Sequence, residues 1–486
     1  MRTPAPQRKH LLLASLSTAL LVLLAGCAAI PTIPEPPELH SGATVQQIRL
    51  RGARGPLSKR ETARILKHFA AQAPNADAFA RHLAIEQAVV GTPLYTGNRV
   101  TVLRDGPQTF AAMFDAIRHA QHYLYLEYFI LEDVHYGTEH LSDLLISRRQ
   151  QGVQIDVIYD AIGSFSTPDE FFHRLRAAGI RVRQFNPIDP LTPFTLNDRD
   201  HRKILVADGN TAIVGGINLS TTYQSVVGRS GSRSGNRSGS TAPTAPTAPA
   251  APAAPATPAT PTAPASPAAA PAPVWHDTDI QIDGPAVRDL KHLFEQHWRQ
   301  QGGPADALVP DGGPIAPQGD QVVRIIGSEG GQVLPRYYAT LLSAIHSATS
   351  RIWVTAAYFV PTRQEREALV RAARRGVDVR LLLPSRSDSN AALAVQRSYY
   401  AGLLRNGVKI YERDDGMLHS KTTVMDGVWS IVGSSNFDHR SVLFNDEVDA
   451  AVSCARTGNQ LEQYFQQELE HARRMGWMCD RVVEAG

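Results

Sequence analysis

Apolar and polar residues follow one another along this chain with two periods, one typical of strands and one typical of helices. The run 100–103 predicts a strand, 110–120 predicts a helix, and 123–129 predicts a further strand. The strand-like runs are rich in β-branched and aromatic residues, which suit a pleated surface. Strands that alternate with helices predict an α/β fold with helices on both faces of a sheet.

The same order of elements occurs twice, which predicts an internal duplication. The first series continues with helix 141–149, strand 153–159, helix 168–178, strand 180–185 and strand 203–206. The second series consists of strand 322–326, helix 336–347, strand 352–359, helix 364–375, strand 379–383, helix 391–405 and strand 408–411. Tyr128-Phe129 of the first series matches Tyr358-Phe359 of the second. We therefore expect two tandem domains of one fold.

The N-terminus carries a predicted targeting segment in residues 1–26. Arg8 and Lys9 precede the apolar run 11–24, which is shorter than the roughly 20 residues that span a membrane. The run ends in Leu-Ala-Gly-Cys27, which resembles a bacterial lipoprotein signal in which Cys27 receives the lipid. Ala28 resembles the residue found there in outer-membrane lipoproteins, so we expect an exported protein, anchored to a membrane and facing the periplasm. An ordinary secretory signal or a short anchor helix is the alternative.

Between the signal and the duplication, residues 27–95 are predicted to form a tether and two helices. Prolines and polar residues dominate the tether. Ser58 and Glu61 form a capping box at the start of the first helix, and the second helix covers about 79–89. The predicted domains that follow are 96–300 and 319–486, joined by a linker at 301–318.

Residues 228–273 form a low-complexity insertion within the first domain. Its sequence changes from Gly, Ser and Arg to a Thr-Ala-Pro repeat, and prolines at this density favour an extended, solvated chain. We therefore expect a disordered surface loop. Its removal aligns His276-Asp277-Thr-Asp with Asp446-Glu447-Val-Asp of the second half.

The two halves share one polar motif. His201-Arg-Lys203 in the first half is matched by His419-Ser-Lys421 in the second. Histidine and lysine two positions apart on a strand point to the same face, so both pairs can reach one cleft. The further matched pairs are Asp208 with Asp426, Gly215 with Gly433, Asn218 with Asn436, and Asp277 with Glu447. So many matches favour one site built from both halves over two chance motifs.

These side chains suit displacement at a phosphodiester. One imidazole can attack phosphorus and form a covalent phosphohistidine, while the other donates a proton to the leaving oxygen. Lysine and asparagine side chains can stabilise the negative phosphate oxygens. The expected phosphate-binding residues are Lys203, Lys421, Asn218 and Asn436. The expected catalytic set comprises His201, Lys203, Asp208, His419, Lys421 and Asp426.

The carboxylates are expected to support the histidines and the turns. Asp277 and Glu447 can accept a hydrogen bond from the second ring nitrogen of a histidine and fix its tautomer. Asp208 and Asp426 precede glycines, and we expect them to brace turns more than to touch substrate. With two ammonium groups at the site, neither a metal ion nor another cofactor is expected, and the sequence has no His/Asp/Glu cluster with metal-ligand spacing.

Composition narrows the choice of partners. The 486 residues carry a net charge of +3, which Arg2, Arg8 and Lys9 of the signal supply. Without these three, the 49 basic residues are reduced to the same number as the 46 acidic ones. A neutral mature chain gives no global electrostatic case for nucleic acid. Cys454 and Cys479 could form a disulfide in an oxidising compartment or remain buried thiols.

The paired His-x-Lys-x4-Asp motifs resemble the phospholipase D superfamily, and within it bacterial cardiolipin synthase. The resemblance covers about 95–227 and 274–480. It implies two α/β/α sandwich domains packed about a pseudo-twofold axis, with the site at their interface. It also implies transfer of a phosphatidyl group between two phosphatidylglycerol molecules, giving cardiolipin and glycerol, with His201 as nucleophile and His419 as acid. The stretches that carry the resemblance are 196–203, 215–218, 275–278, 358–361, 416–421, 436–441 and 445–447.

The sequence leaves other functions open. A lipoprotein-like signal stands where cardiolipin synthases usually have spanning helices, so a secreted phospholipase D that hydrolyses phospholipid is one alternative. A metal-independent nuclease of the same superfamily is another, although the neutral composition does not favour it. A catalytically idle scaffold or lipid-binding module is the last. A phospholipid membrane is the expected partner, and a monomer that contains its own pseudo-dimer needs no second chain.

Overall fold

The computed structural model describes most of the chain between residues 30 and 476. The described ranges are 30–33, 48–72, 80, 82–84, 87, 91–187, 197–224, 273–305, 308–332 and 335–476. The predicted signal 1–26, the lipidation site Cys27, nearly all of the insertion 228–273 and Cys479 therefore lie outside the described residues.

The segment before the duplication begins with a short hairpin. Strands β1 (Leu50–Gly52) and β2 (Gly55–Pro56) pair with each other, and β1 also pairs in parallel with residues 94 and 95. The end of the segment predicted as a tether therefore joins the sheet, and its side chains Ile48 and Leu50 are buried there. The predicted capping box is confirmed: Ser58 and Glu61 exchange hydrogen bonds at the start of helix α1 (Lys59–Gln72).

The first half follows the predicted alternation of strands and helices. Its elements are β3 (Leu94–Arg104), α2 (Asp105–His119), β4 (Tyr123–Tyr128), β5 (His135–Tyr136), β6 (Glu139–His140), α3 (Leu141–Gln150), β7 (Gln154–Asp160), α4 (Asp169–Ala177), β8 (Arg181–Phe185), β9 (Arg199–Asp200), β10 (Lys203–Ala207), β11 (Thr211–Gly215), β12 (Trp275–His276), β13 (Thr278–Asp283) and α5 (Val287–Gln300). A 3₁₀ turn, Thr221–Gln224, follows β11.

The second half repeats this order. Its elements are β14 (Gln321–Ser328), α6 (Arg336–Ser347), β15 (Arg351–Thr355), α7 (Arg363–Arg374), β16 (Asp378–Pro384), α8 (Asn390–Ser398), α9 (Tyr400–Leu404), β17 (Lys409–Arg413), β18 (Met417–Leu418), β19 (Thr422–Met425), β20 (Trp429–Gly433), α10 (His439–Leu443), β21 (Asn445–Ser453), α11 (Ala455–Leu469) and β22 (Ala472–Arg474).

The strand pairings of the two halves are equivalent. Strands β4, β7 and β8 are parallel neighbours, as are β15, β16 and β17. Strand β10 runs antiparallel to β4, and β19 runs antiparallel to β15. The low-complexity insertion connects β11 to β12 and β13, and β11 pairs directly with β13. Strand β14 pairs with β3, which links the two sheets. The predicted α/β fold is thus confirmed.

The sheets of the two halves pack against a shared apolar core. Ile204 and Val214 of the first half and Val424 and Val448 of the second belong to one buried cluster. Burial of one such side chain contributes about 2 kcal/mol to folding. Separate clusters lie under the outer helices of each half. This arrangement brings the ends of the equivalent strands β10 and β19 close to each other.

Two predicted elements are shorter in the structure. The strand predicted at 352–359 ends at Thr355, because the chain beyond it leaves the sheet and Phe359 bridges to Phe437. The helix predicted at 391–405 is divided at Tyr399 into α8 and α9. Within the described part of the chain, no helix combines the length and apolar character needed to cross a membrane.

Candidate active site

Short parallel strands cross between the halves and bring the two His-x-Lys motifs together. Strand β9, just before His201, pairs with the start of β21, and β12 pairs with β18, just before His419. The backbone N–H of His201 donates to the Asp446 carbonyl at 2.9 Å, and the N–H of His419 donates to the His276 carbonyl at 2.8 Å. Each histidine therefore lies beside the residue that precedes the matched carboxylate, Glu447 or Asp277, of the other half.

Each histidine ring is held by a carboxylate from the opposite half. The Nδ1 atom of His201 lies 2.9 Å from Oε2 of Glu447, and the Nδ1 atom of His419 lies 2.6 Å from Oδ2 of Asp277. Both carboxylates are fully buried, while the histidine side chains keep 13% and 11% of their surface exposed. With Nδ1 bound in this way, Nε2 is the ring atom left for chemistry.

The two lysines lie beside the histidines and are almost completely buried. Lys203 is 1% exposed and Lys421 is 4% exposed. Each ammonium donates to the backbone carbonyl of the histidine in its own motif. The ammonium of Lys203 also lies 5.6 Å from the centre of the Phe129 ring, which packs edge-on against His201. The lysines are thus held close to the reactive rings.

The two asparagines occupy equivalent places after β11 and β20. The side-chain oxygen of Asn218 accepts the N–H of Ile130 at 3.1 Å. The backbone N–H of Asn436 donates to Ser441, and its side-chain oxygen is buried without a hydrogen-bond partner. The next residues make equivalent β-bridges. Leu219 bridges to Leu131, which follows β4, and Phe437 bridges to Phe359, which follows β15. These bridges fix both amides at the same end of the sheets as the histidines.

The buried positive groups of the site repel one another. Burial and, to a smaller extent, the charge of Lys421 lower the pKa of Lys203 to about 7. Burial and the charge of Lys421 lower the pKa of His419 to about 4. The pKa of His201 is also lowered by burial, against the effect of Glu447. A bound anion would relieve this repulsion, so the electrostatics favour a ligand such as a phosphodiester.

The surroundings of the two carboxylates differ. Glu447 accepts hydrogen bonds from Ser434, Ser441 and Asn445. Although burial opposes the charge, His201, Lys203 and Ser434 lower the pKa of Glu447 to about 2. Asp277 accepts the backbone N–H of Thr278. The site is therefore symmetric in its backbone and asymmetric in the support of its histidines.

Comparison with known proteins identifies the family of this chain. A family model described as cardiolipin synthase, phospholipase D-like domain, matches residues 113–227 and 341–469. The cardiolipin synthase of Geobacillus thermodenitrificans is 33% identical over 384 residues, which cover 78% of this chain and 68% of the relative. Cardiolipin synthase A of Pseudomonas fluorescens is 32% identical over 381 residues, with the same coverage. The chain belongs to the cardiolipin synthase family of phospholipase D-like enzymes.

The fold of this family member is also found in a more distant solved structure. The crystal structure of phosphatidylserine synthase from Haemophilus influenzae aligns with a TM-score of 0.57 and 12% identity. The alignment covers 81% of this chain and 92% of that one. This alignment supports the fold, and the family model and the cardiolipin synthase relatives confirm the resemblance to the phospholipase D superfamily and the duplicated domain.

The aspartates of the family motif lie away from the histidines, at the other end of strands β10 and β19. Asp208 accepts the backbone N–H groups of residues 121–123, and Asp426 accepts those of residues 349–351. Asp426 also contacts His82 of the N-terminal segment at 3.2 Å. Both aspartates have positive φ angles, of 50° and 54°. They brace tight turns onto the neighbouring strand.

Sequence analysis missed a second pair of aspartates, Asp279 and Asp449. A Cβ atom added to Gly215 or Gly433 would lie 2.1 or 2.2 Å from an oxygen of these carboxyl groups. The matched glycines are therefore needed for close approach. Burial raises the pKa of both aspartates to about 8. The signal was present in the aligned stretches 276–279 and 446–449, whose fourth positions are both aspartate.

A buried ionic network beside His201 was also missed. Glu127, Asp200 and His297 bring three potential metal-ligand atoms within 4.8 Å of one another. Oε1 of Glu127 accepts from Arg202 at 3.1 Å and contacts Nδ1 of His297 at 2.8 Å. The guanidinium of Arg202 is thus the cation that faces these carboxylates. Residues so distant in sequence have no spacing signal, so only the fold could reveal the group.

Proposed function

We propose that this protein is a phosphatidyl transferase that works through a covalent phosphohistidine on His201 and forms cardiolipin from two phosphatidylglycerol molecules. The observation that carries the proposal is the pair of crossed histidine–carboxylate contacts around two buried lysines. Membership of the cardiolipin synthase family supports the choice of lipid. The neutral charge of the mature chain does not favour a nuclease.

The proposed reaction has two displacements at one phosphorus atom. Nε2 of His201 attacks the phosphorus of the first phosphatidylglycerol, and the bond from phosphorus to the glycerol headgroup oxygen breaks. His419 gives its proton to that oxygen, so glycerol leaves and a phosphatidyl group stays on His201. A hydroxyl of the second phosphatidylglycerol then loses its proton to His419 and attacks the phosphorus. The bond to His201 breaks, and cardiolipin is released.

The difference between the two carboxylates supports His201 as the nucleophile. A firmly ionised Glu447, bound by three side chains, holds the N–H of His201 at Nδ1 and keeps the lone pair at Nε2. His419 has a different environment, because the hydroxyl of Tyr223 lies 3.0 Å from its Nδ1 atom beside Asp277. An imidazole whose Nδ1 atom contacts both a carboxylate and a hydroxyl suits the role of taking up and releasing a proton.

Substrate binding completes the acid in this proposal. In the free protein the pKa of His419 is too low for a proton at neutral pH. The phosphodiester anion would offset the charge of Lys421 and Lys203, and Asp277 would stabilise the imidazolium. Asn218 and Asn436 would donate amide hydrogen bonds to the same phosphate oxygens.

The proposed location is the membrane surface on the exported side. The lipoprotein-like signal 1–26 with Cys27 supports a lipid anchor, and Ala28 supports the outer membrane. All of these residues precede the described part of the chain. One chain supplies both halves of the site, which is consistent with a monomer.

The test uses the purified protein with vesicles of labelled phosphatidylglycerol and, separately, with plasmid DNA. Wild type is compared with His201→Ala and His419→Ala, and His119→Ala serves as a control because its side chain is 72% exposed on helix α2. Cardiolipin and glycerol formed by wild type and His119→Ala, and lost in both other variants, are the expected result. Phosphatidic acid as the sole lipid product would replace the proposal with hydrolysis. Nicked plasmid without lipid turnover would replace it with a nuclease.

A further inference from the structure

Few large apolar side chains of the described residues are exposed, and they lie on a short strand, in a turn and on a helix. Among the described residues they are Tyr136, Ile162, Phe165 and Val395, with Phe165 the most exposed at 77%. Tyr136 follows β4, Ile162 and Phe165 follow β7, and Val395 on α8 follows β16. Strands β7 and β16 hold equivalent places in the two halves. Ile162 and Phe165 in the first half and Val395 in the second therefore lie in the connections that follow equivalent strands.

The connections that follow β7 and β16 lie at the end of the sheets that carries the active site. Tyr128 at the end of β4 pairs with Lys203 at the start of β10, and Thr355 at the end of β15 pairs with Thr422, next to Lys421. Ser164, in the loop with Ile162 and Phe165, donates to the carbonyl of Phe129. The Phe129 ring in turn contacts His201. Ile162, Phe165 and Val395, here called the apolar rim, therefore lie at the same end of the sheets as the active site.

A basic groove adjoins this rim in the second half. It has a volume of about 690 Å³ and lies between α7 and α9. Val370, Tyr399 and Leu403 supply apolar walls, and Glu367 is the one acidic residue of the lining. The arginines that line it are Arg363, Arg366, Arg371, Arg374 and Arg405. The groove therefore offers positive charge beside apolar surface, as a lipid headgroup with its acyl chains requires.

The groove approaches the rim at its Arg363 end, while its other end, at Arg374 and Arg405, lies where β16 and β17 begin, away from the active site. Val395 stands three and four positions before Ser398 and Tyr399, which line the groove, so they share one face of the helical segment. The guanidinium of Arg366 lies over the Tyr399 ring at 4.3 Å. Helix α7 begins with Arg363 on the active-site side, since Phe359 before it bridges to Phe437 beside Asn436.

We propose that this surface, the apolar rim with the adjoining end of the groove at Arg363 and Arg366, docks the protein onto an anionic lipid bilayer with the active site facing the headgroups. The inference rests on the proposed function and adds the way in which the substrate is presented. Exposed aromatic and aliphatic side chains enter the boundary between headgroups and acyl chains, and the arginines bind lipid phosphates. A second copy of this chain is a poorer occupant, because five arginines against one glutamate would face the same charges.

The experiment compares two forms of one substrate. Full-length protein carrying Cys27→Ser, which removes the acylation site, is assayed on phosphatidylglycerol–phosphatidylethanolamine vesicles and on dihexanoyl phosphatidylglycerol below its micelle concentration. The rim variant is Ile162→Ser with Phe165→Ser, and the groove variant is Arg363→Gln with Arg366→Gln. The control is Arg288→Gln with Arg456→Gln. These two arginines follow the far ends of β13 and β21.

The rate on vesicles should fall about tenfold in the rim and groove variants, because the first loses apolar insertion into the bilayer and the second loses two cationic contacts with lipid. Their rate on the monodisperse lipid should stay within about twofold of the parent, and the control should match the parent on both substrates. Equal losses on both substrates, or no loss on vesicles, would overturn the docking proposal. If neither substrate is turned over, the catalytic proposal fails, and co-sedimentation of the same proteins with the vesicles then decides the docking proposal. Dimerisation that the rim variant abolishes would assign the surface to a second copy.

Discussion

Nδ1 of His201 lies 2.9 Å from Oε2 of Glu447, although the residues are 246 positions apart and belong to different halves. His419 and Asp277 make the reciprocal contact at 2.6 Å. The crossed strands β9–β21 and β12–β18 make both contacts possible, because they place each histidine next to the other half's carboxylate. Neither half therefore contains a complete histidine–carboxylate pair.

Replacing Glu447 with Gln should lower kcat, because His201 would adopt the wrong tautomer. The amide can present its NH₂ to the ring, which favours the tautomer with the hydrogen on Nε2 and removes the nucleophilic lone pair. We expect kcat to fall about 10³- to 10⁴-fold, as in other sites where a histidine loses its carboxylate. Steady-state kinetics measure this fall, with Glu139→Gln in a surface ion pair with Arg118 as the control. A loss under tenfold would argue against the orienting role.

The rate should depend on pH through the buried lysine. Lys203 has a pKa of about 7 in the free protein, so kcat/KM should show an alkaline limb near that value, where its positive charge is lost. This limb adds to the decline at lower pH caused by His419, which must carry a proton and has a pKa of about 4. The acid limb should lie below pH 6.5, because the pKa of His201 is lowered and the nucleophile must be neutral. Lys203→Arg should move the alkaline limb upward, since a guanidinium stays charged. An unchanged alkaline limb in an active variant would show that another group titrates.

Asp208→Asn and Asp426→Asn should lower stability and leave the chemistry largely intact. Asparagine tolerates the positive φ at both positions but loses charged acceptors of backbone hydrogen bonds. We expect about 2 kcal/mol of destabilisation for each, measured by urea unfolding. Hydrogen bonds from His82 and the backbone lower the pKa of Asp426. The stability that this carboxylate gives to the fold is therefore present above its unfolded pKa and is lost as pH falls through its folded pKa. A kcat loss beyond tenfold at full stability would indicate a catalytic role.

Gly215→Ala and Gly433→Ala should destabilise the fold around the site. The added Cβ would lie 2.1 or 2.2 Å from a carboxyl oxygen of Asp279 or Asp449, and buried backbone surrounds both positions. We expect losses of about 3 kcal/mol, at the upper end for an overpacked core. Thermal unfolding measures them, with Gly312→Ala as the control because no atom lies within 4 Å of its Cβ position. Equal melting temperatures for all three variants would contradict the close-approach explanation.

The sequence predicted the elements well where local signals were strong. The capping box at Ser58 and the helix at Arg336–Ser347 agree with the structure. The division of the helix predicted at 391–405 could not be foreseen, because no proline or glycine marks Tyr399. Tertiary hydrogen bonds hold the chain there, from Gln396 to the Pro384 carbonyl and from Tyr400 to Glu412.

The sequence predicted which residues lie in the site, but not which histidine contacts which carboxylate. The repeated offsets identified His201, His419 and the two orienting carboxylates. They could not tell which carboxylate serves which histidine, because that depends on the crossing of β9 and β12 to the other half. Asp279 and Asp449 were overlooked because their role depends on the close approach of glycines on a neighbouring strand.

The central claim, covalent transfer through His201, is tested most directly by trapping the intermediate. Protein mixed with phosphatidylglycerol is quenched at neutral pH within the first turnover, digested and analysed by tandem mass spectrometry. We predict a phosphatidyl adduct on the peptide that contains His201, absent from His201→Ala. An adduct on His419 that persists in His201→Ala would reverse the two roles, and cardiolipin formation with no histidine adduct on either peptide would contradict the mechanism.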